Sequence, residues 1–499
     1  MKISCHAGRA PRMGNGQTAI FTRRVRDHMR VAPIVVAPAT PVREAVALMT
    51  DARATAILIA PPNGRIEGIL TEQDIVRRVT FRAPSGTQVC EVMSRPVRVV
   101  AEEDFLYHAI AHMRRRRLRH LPVIDGLGAV TGMVHLDDAV ATATESRLEQ
   151  IDRLTQEQSL DGLREVKAAQ IDLADELFRE NLPVPEIQSV LTHVNNDLYR
   201  RVVERSLNEL AAAGWGEPPV PFCVIVMGSG GRGESYLYPD QDNGFILDDY
   251  PDSQHTKIDR FFVELATRMT RDLDTIGIPL CKGHVMATNP VWRKTATQWH
   301  DQIAQWCRRR SLVALRFSDI FFDFKSVYGE VDLAATLREN ITGIVKANPA
   351  FLRAMYDDDI EHGVALGWFG RFLTEKENAD HLGAINLKHT GTLPLVESLR
   401  LLALREGISQ TGTLERLAAL GEKSLLDADD MDYLTGAYHH ITRLLLRQQI
   451  ADFRAGKPVS NYVHPDDLSQ RDRDILVDSF KAISRLRDRV RSDFTGDVF

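Results

Sequence analysis

The chain has few cysteines and no pair of them. Cys5, Cys90, Cys223, Cys281 and Cys307 are scattered over 499 residues without a C-x-x-C spacing. A disulfide framework and a clustered zinc site are therefore not expected, and a reducing compartment is. Long apolar runs are also missing, because none approaches the ~18 residues that span a bilayer. The first 30 residues are polar and rich in arginine, without the apolar centre of a secretory signal, so a cytoplasmic location is expected. Neither sign of charge dominates: 62 basic residues face 68 acidic ones, a formal net charge of −6. That balance gives no support for broad binding to nucleic acid or to a membrane surface. A Walker A loop is excluded, since no Gly-Lys-Ser/Thr follows the glycines near position 230. Hydrophobic content of 44% and 26% charged residues describe ordinary globular protein, long enough for several domains.

What is present begins with an internal repeat over about 29–143, at a constant offset of 64 residues. Met29 maps to Met93, Val36 to Val100, Met49 to Met113, Ile59 to Val123, Gly68 to Gly132 and Asp74 to Asp138. Each copy reads strand, amphipathic helix, strand, glycine turn, strand, helix. A unit of about 50 residues cannot bury both faces of its sheet, so the copies are expected to pack together. The repeat, with copies over 25–80 and 88–143, resembles a CBS-domain pair, or Bateman module. The likeness rests on Gly68-Ile69-Leu70-Thr71-Glu72-Gln73-Asp74, on Gly132-Met133-Val134-His135-Leu136-Asp137-Asp138 and on Leu121-Pro122-Val123-Ile124-Asp125. In that family the glycine-to-aspartate stretch binds the ribose of an adenosine nucleotide. The resemblance thus implies nucleotide contacts from Thr71 and Asp74 in copy one and from Asp138 in copy two, where His135 replaces the hydroxyl. The alternative is that the module only spaces domains or pairs two chains into a homodimer. The run Arg114 to Arg117, with Arg119, reads as the solvated C-terminal end of a helix, where cations suit the macrodipole.

A second feature is Met227 to Leu247. An apolar run ends in Gly228-Ser229, a turn with Arg232 and Glu234 follows, and Asp240 and Asp242 lead into another apolar run. On a strand, residues i and i+2 share a face, and two such carboxylates can hold divalent metal beside a polyphosphate. Gly228, Gly230 and Gly233 also spell a dinucleotide-binding fingerprint, with Asp248 at the acidic position. That reading needs a crossover helix, which Pro239 and the strand pattern from Asp240 leave no room for. The layout resembles the nucleotidyltransferase superfamily that includes DNA polymerase beta and the glutamine-synthetase and PII-modifying enzymes. The resemblance implies Gly228 and Ser229 on the triphosphate, and Asp240 and Asp242 on Mg²⁺ or Mn²⁺. Arg232 reads either as a phosphate ligand or as a structural partner of Glu234. A third metal-binding and catalytic carboxylate is expected at Asp323, within a strand over Ile320 to Gly329. That stretch resembles the D-x-R-x-x-x-G strand of the adenylyltransferases, with Lys325 at the arginine position; Asp319 reads as a strand-start residue. Asp272 and Asp274 repeat the Asp-x-Asp spacing on a helical pattern, where i and i+2 diverge, so they should not bind metal.

The remaining sequence is helical. Leu148, Ile151, Leu154, Leu163 and Val166 recur at helical spacing, and Pro183 and Pro185 divide 144–215 into two helices read as a linker. Helices are expected over Val331 to Ala347, Ala350 to Gly367, Leu393 to Leu404, Leu414 to Leu420, Met431 to Phe453 and Leu468 to Phe494. Fragments such as Asn386-Leu387-Lys388-His389-Thr390-Gly391-Thr392 and Thr413-Leu414-Glu415-Arg416-Leu417 resemble a bacterial family that joins CBS pairs to a nucleotidyltransferase and a helical C-terminal domain. The expected architecture is multidomain, α/β and α+β. A flexible start (1–24) precedes a tandem CBS module (25–143) and a helical linker (144–215). A polymerase-beta-like nucleotidyltransferase domain (216–329) and an all-α substrate-binding bundle (330–499) follow. The expected function is transfer of a nucleoside monophosphate from an NTP to an acceptor hydroxyl. By resemblance to PII uridylyltransferases the acceptor is a protein, and an adenine nucleotide at the CBS pair regulates transfer. The alternative is a non-catalytic nucleotide-sensing signal-transduction protein. Lys388 reads either as a solvated surface lysine or as one that faces the active site.

Overall fold

The computed structural model describes residues 21–140, apart from 32, 63, 64, 81, 82 and 85, and residues 159–495, apart from 361. The expected helix through Leu148, Ile151 and Leu154, and nearly all of the start over 1–24, lie outside them. The chain divides into two compact units, Met1–Thr155 and Gln156–Phe499.

The first unit realises the repeat element by element. In copy one, β2 (Val35–Val36) runs parallel to β3 (Ala56–Ile59), which pairs antiparallel with β4 (Gly68–Thr71). In copy two, β5 (Val100–Ala101), β6 (His120–Ile124) and β7 (Val130–His135) repeat that order, with β1 (Arg30–Val31) added against β7. Helices α1 (Val42–Asp51) and α2 (Leu106–Arg116) occupy matching places. The entry segments are exchanged between copies. A Cβ on Gly68 would strike the Met93 sulfur at 2.0 Å, and one on Gly132 would strike the Met29 sulfur at 2.5 Å. Ser94 bridges to Ile69 as Arg30 pairs with Met133. Each copy therefore completes its sheet with the other's entry strand, which is why one copy is not a stable unit. Arg114, Arg115 and Arg116 end α2 at the surface, and Arg117 closes it in the left-handed region.

The second unit is built on a four-stranded sheet of order β10-β9-β8-β11. Its strands are β8 (Phe222–Val226), β9 (Asn243–Leu247), β10 (Arg293–Thr295) and β11 (Lys325–Gly329). Every residue of β8 and β9 is buried, as continuous apolar runs require. Two helices precede the sheet, α3 (Leu160–Arg179) and α4 (Val184–Ala212), divided where Pro183 and Pro185 open α4. They are not a spacer. Lys167 is buried and its Nζ donates to Gln170, Asn195 and the Leu237 carbonyl at 2.7, 2.9 and 3.0 Å. Arg200 donates to the Val327 carbonyl at 3.0 Å. The described part of the expected linker thus belongs to the body of the second unit.

Helices α6 (His255–Thr275), α7 (Ala296–Arg309) and α8 (Leu312–Phe321) flank the sheet, and α5 (Gly228–Arg232) is a single turn after β8. Here the expected strand over Ile320 to Gly329 is corrected. Ser311 caps α8 through its hydroxyl, and Ala314, Leu315, Ser318 and Phe321 are its buried positions, a helical spacing. Phe321 stacks on Trp299 with ring centroids 4.4 Å apart, so the aromatic run serves a helix end. The strand starts only at Lys325. Beyond Gly329 come α9 (Val331–Lys346), α10 (Pro349–Asp359), α11 (Leu393–Glu406), α12 (Thr413–Glu422), α13 (Ala428–Arg454) and α14 (Gln470–Thr495). Helix α10 stops eight residues before the expected Gly367. One apolar core runs from the sheet, at Ile225 and Ile246, to the bundle, at Leu399 and Phe480.

Candidate active site

Strand β8 delivers Gly228 and Ser229 to the edge of a cleft through α5 (Gly228–Arg232), a single turn that ends on Gly233 at φ 79°. Gly228 has φ 58°, and a Cβ there would stand 3.1 Å from Oδ2 of Asp242. Glycine is therefore needed both for the backbone turn and for the approach of the carboxylate. The Met227 amide donates to the Asp242 carbonyl at 2.9 Å, which prolongs the β8–β9 ladder and fixes the register of the acidic pair.

Alternation then sorts Asp240 to Asn243. Gln241 and Asn243 are fully buried. Gln241 Nε2 donates to the carbonyls of Thr270 and Ile278 at 3.0 and 2.9 Å, and Asn243 Oδ1 accepts from the Ala287 amide at 3.0 Å. These inward amides pin the segment after α6, which carries Cys281. Asp240 and Asp242 face the other way, into a cleft lined also by Ser229 and Tyr199. Ligand-capable atoms of Asp240, Asp242 and Cys281 all lie within 4.8 Å of one another. Burial and the Asp240 charge push the Asp242 carboxyl up to about 7, while Lys388 acts against them. Burial and Asp242 push the Cys281 thiol up to about 12. Lys388 is exposed, and its charge favours the ionised Asp242.

Asp323 and Arg232 depart from expectation. Asp323 sits in the turn before β11 and is 0% exposed. Its Oδ2 accepts from Arg232 at 2.8 Å and from Arg400 at 2.9 and 3.2 Å, and its Oδ1 lies 2.6 Å from Arg416. Burial alone would raise the Asp323 carboxyl, but Arg400, Arg416 and Arg232 together hold it well below the usual carboxylate range. Oδ2 is taken up by guanidinium hydrogen bonds and Oδ1 faces Arg416 in an ion pair without a hydrogen bond, so three cations already supply the countercharge that a metal at Asp323 would bring. Arg232 is spent likewise, with Nε on Glu234 at 2.7 Å and Nη1 on Asp323. Of its two readings, the structural partnership is the one realised. Glu234 in turn accepts from the Thr413 amide at 2.7 Å, and Thr411 donates to the Gly231 carbonyl at 2.9 Å. This network ties the Gly-Ser turn to the helical bundle.

Asp272 is buried and paired with Arg271 at 2.8 Å, away from the acidic pair. Sequence reasoning missed Cys281, which carries no signal of its own. It also missed Arg400, a lone cation between Leu399 and Leu401 on an apolar helix, a pattern that announces a buried ion pair.

In the first unit, Thr71 and Asp74 form a capping box: the Thr71 hydroxyl donates to Asp74 Oδ2 at 2.7 Å, and the Asp74 amide donates back at 3.3 Å. Ser94 donates to Asp74 Oδ1 at 2.9 Å. The equivalent contact in copy two is ionic, with Arg30 on Asp138 at 2.8 Å. His135 packs edge-on against His120, whose imidazole burial drives down to about 4.

A glycine-serine turn beside an Asp-x-Asp pair at the entry to β9, followed by a helical bundle and preceded by a sheet-and-helix repeat, defines a multidomain protein of nucleotidyltransferase type. A model described as "Putative nucleotidyltransferase DUF294" matches residues 168–312, starting inside α3. A second, "Putative nucleotidyltransferase substrate binding domain", matches 349–494, and the CBS domain model matches 25–80 and 89–144. The chain thus belongs with the proteins that join tandem CBS domains to a DUF294 domain and its C-terminal substrate-binding domain. Among curated proteins it is 28% identical to inosine-5'-monophosphate dehydrogenase of Mycobacterium tuberculosis over 123 residues, 24% of this chain and 22% of that protein. It is 30% identical to the mitochondrial CBS domain-containing protein CBSX3 of Arabidopsis thaliana over 119 residues, 23% of this chain and 57% of that one. The chain therefore spans about a fifth of the length of the dehydrogenase. Among solved structures, a conserved CBS domain protein of unknown function from Thermoplasma acidophilum is 25% identical, with 26% of this chain and 73% of that chain covered and a TM-score of 0.24. A CBS domain protein from Pyrobaculum aerophilum complexed with AMP is 21% identical, with 23% and 88% covered and a TM-score of 0.22. No helix among the described residues is long and apolar enough to cross a membrane.

Proposed function

We propose that the protein transfers a nucleoside monophosphate from a nucleoside triphosphate to an acceptor hydroxyl, under control of an adenine nucleotide at the CBS pair. The observation that carries this reading is the convergence of Asp240 and Asp242 on Gly228 and Ser229 in one cleft. The donor set suits a divalent cation: two carboxylates whose ligand atoms lie within 4.8 Å, one of them half-buried and short of countercharge, need positive charge between them. Mg²⁺ or Mn²⁺, held by Asp240 and Asp242, supplies charge neutralisation for the triphosphate when bound. The residues do the rest. Gly228 lets the chain approach the phosphates closely, the Ser229 hydroxyl donates to a phosphate oxygen, and Lys388 adds a cation at the rim. The acceptor hydroxyl loses its proton to water as its oxygen attacks the α-phosphorus, the α–β bridging P–O bond breaks with its electron pair passing to the leaving oxygen, and pyrophosphate leaves. A protein hydroxyl is the acceptor class that the likeness to PII uridylyltransferases favours.

Regulation rests on Thr71 and Asp74, whose hydroxyl and carboxylate suit the vicinal diol of a ribose. Copy two has His135 where copy one has the Thr71 hydroxyl, and this difference favours copy one for the adenosine, with Thr71 and Ser94 releasing the Asp74 carboxylate when the ribose binds. The pair also supplies a surface for a homodimer.

The capture of Asp323 by three arginines favours, as a second reading, a nucleotide-sensing protein without turnover. Purified chain incubated with each labelled nucleoside triphosphate, Mg²⁺ or Mn²⁺, and a cell lysate separates the two. The enzyme predicts label moved by wild type and not by Asp240→Asn or Asp242→Asn, both still folded by thermal melt. Exposed Asp274→Asn is the unaffected control, since Asp272 is buried in an ion pair. Nucleotide binding without transferred label in wild type establishes the sensor instead.

A further inference from the structure

We propose that Asp359, His362 and Glu397 form a binding site for a divalent transition-metal ion in the helical bundle, separate from the Asp240–Asp242 cleft. Asp359 is the last residue of α10, Glu397 lies in the second turn of α11, and His362 is in the connection between them. Ligand-capable atoms of the three all lie within 4.8 Å of one another. Two of those side chains are buried beyond nine-tenths, Asp359 at 4% and Glu397 at 2% exposure. Asp359 Oδ2 and Glu397 Oε2 have no hydrogen-bond partner among the described residues.

Two buried carboxylate oxygens without donors are costly, and a cation between them is the economical remedy. Among the described residues no cation is hydrogen-bonded to either of these oxygens, while Arg487 and Arg491 line the same cavity. Arg400 is engaged by Asp319 at 2.7 Å and by Asp323 at 2.9 Å. Arg487 donates to the backbone carbonyls of Asp359 and Ile360 at 3.4 and 3.2 Å. Asp319 adds a further negative charge beside Asp359. Among the described residues His362 reaches the carboxylates, its Nδ1 2.9 Å from Glu397 Oε1, and Asp319 shares a hydrogen bond with Asp359.

The donor types choose the metal. One imidazole nitrogen with two carboxylate oxygens suits Zn²⁺ or Mn²⁺, whereas Mg²⁺ and Ca²⁺ prefer oxygen throughout. A metal here clamps α10 to α11. It also sits one residue, Asp319, away from the Arg400–Asp323–Arg232 network behind the Gly-Ser turn. This role stands whether or not the cleft turns over substrate.

The test uses the full chain carrying Asp240→Asn and Asp242→Asn, which disables the other carboxylate pair. After chelator treatment it is titrated with Zn²⁺ by calorimetry and followed by thermal melting. One Zn²⁺ per chain should bind, raise the melting temperature saturably, and resist an equal concentration of Mg²⁺. Adding His362→Ala, a substitution at a part-exposed position, should weaken that binding at least about tenfold. Glu397→Gln, the second variant, should do the same. The proposal is overturned if Zn²⁺ does not bind saturably, if both added variants bind it as tightly as their parent, or if equimolar Mg²⁺ displaces it.

Discussion

Replacing Asp323 by asparagine tests the most consequential departure from the sequence expectation. Asp323 is fully buried among Arg232, Arg400 and Arg416, with contacts of 2.6 to 3.2 Å. Without its charge, Arg400 keeps Asp319 and Arg232 keeps Glu234. Arg416 keeps only the Gln410 carbonyl, at 2.9 Å, and has no other ion-pair partner among the described residues. Breaking a buried pair from one side costs about 3–5 kcal/mol, because the partner charge stays buried. The second unit has roughly 340 residues and so an unfolding entropy near 0.7 kcal/mol/K, which makes the expected loss about 4–7 °C in melting temperature. Differential scanning calorimetry reads that shift, and Mn²⁺ titration of the same variant should show binding at the Asp240–Asp242 cleft retained. The acid side gives a second readout. The folded carboxyl lies below its ordinary range. Its stabilisation is therefore complete above the unfolded value of about 4 and is lost as pH falls below it. The variant should lack that acid-side loss. A wild-type melt together with lost Mn²⁺ binding would refute the reasoning and return Asp323 to the metal site.

Other outcomes are as definite. Since Asp242 ionises only at about 7, Mn²⁺ affinity measured by calorimetry should rise up to about tenfold per pH unit from pH 5 to 7 and level off above, as one proton must leave. Asp240→Asn should move that plateau to lower pH, and an unshifted plateau would deny that the two carboxylates interact. Gly231→Ala should destabilise the second unit by about 1–3 kcal/mol, because its Cβ would stand 1.7 Å from the Asp323 carbonyl oxygen; a wild-type chemical melt would show that the turn can yield. Asp74→Ala should weaken AMP or ADP binding to the full chain, whereas Asp138→Ala should change it little. If the nucleotide regulates transfer, wild type should show a several-fold change in rate, the scale of a 1–3 kcal/mol coupling, and Asp74→Ala should not.

The legible parts were those in which a one-dimensional pattern carries the physics. The repeat was readable because its offset is constant, and the structure adds the exchange of Met29 and Met93 onto Gly132 and Gly68. The helices beyond Gly329 were readable because buried positions recur at helical spacing, so α13 and α14 fall within a few residues of expectation. The alternation of Asp240 and Asp242 with the buried Gln241 and Asn243 was readable, but the strand expected from Asp240 begins only at Asn243, so the pair lies in the extended segment before β9. Misreading concentrated in the short apolar stretch around Phe321, where periodicity cannot separate a strand from a buried helix end. The Ser311 cap was the available signal. Helices α3 and α4 were read as a linker because nothing local distinguishes a spacer from a packed layer; Lys167, bonded to Leu237, shows which it is.

By itself, then, the sequence determined which residue types occur at which spacing: a repeated CBS-like unit, a Gly228-Ser229 turn and a carboxylate pair at alternate positions just before an apolar strand. These follow from chain geometry within a few residues. Tertiary structure alone decided which charge meets which. Asp323 and Asp240 are both lone carboxylates next to apolar runs, yet one is enclosed by Arg232, Arg400 and Arg416 and the other opens onto a cleft. Those arginines lie up to 93 residues from Asp323. Cys281 joins Asp240 and Asp242 from a distant segment, as Glu397 joins Asp359. An ion pair or a ligand set is defined by distance in space, and sequence separation holds no information about it until the core has packed.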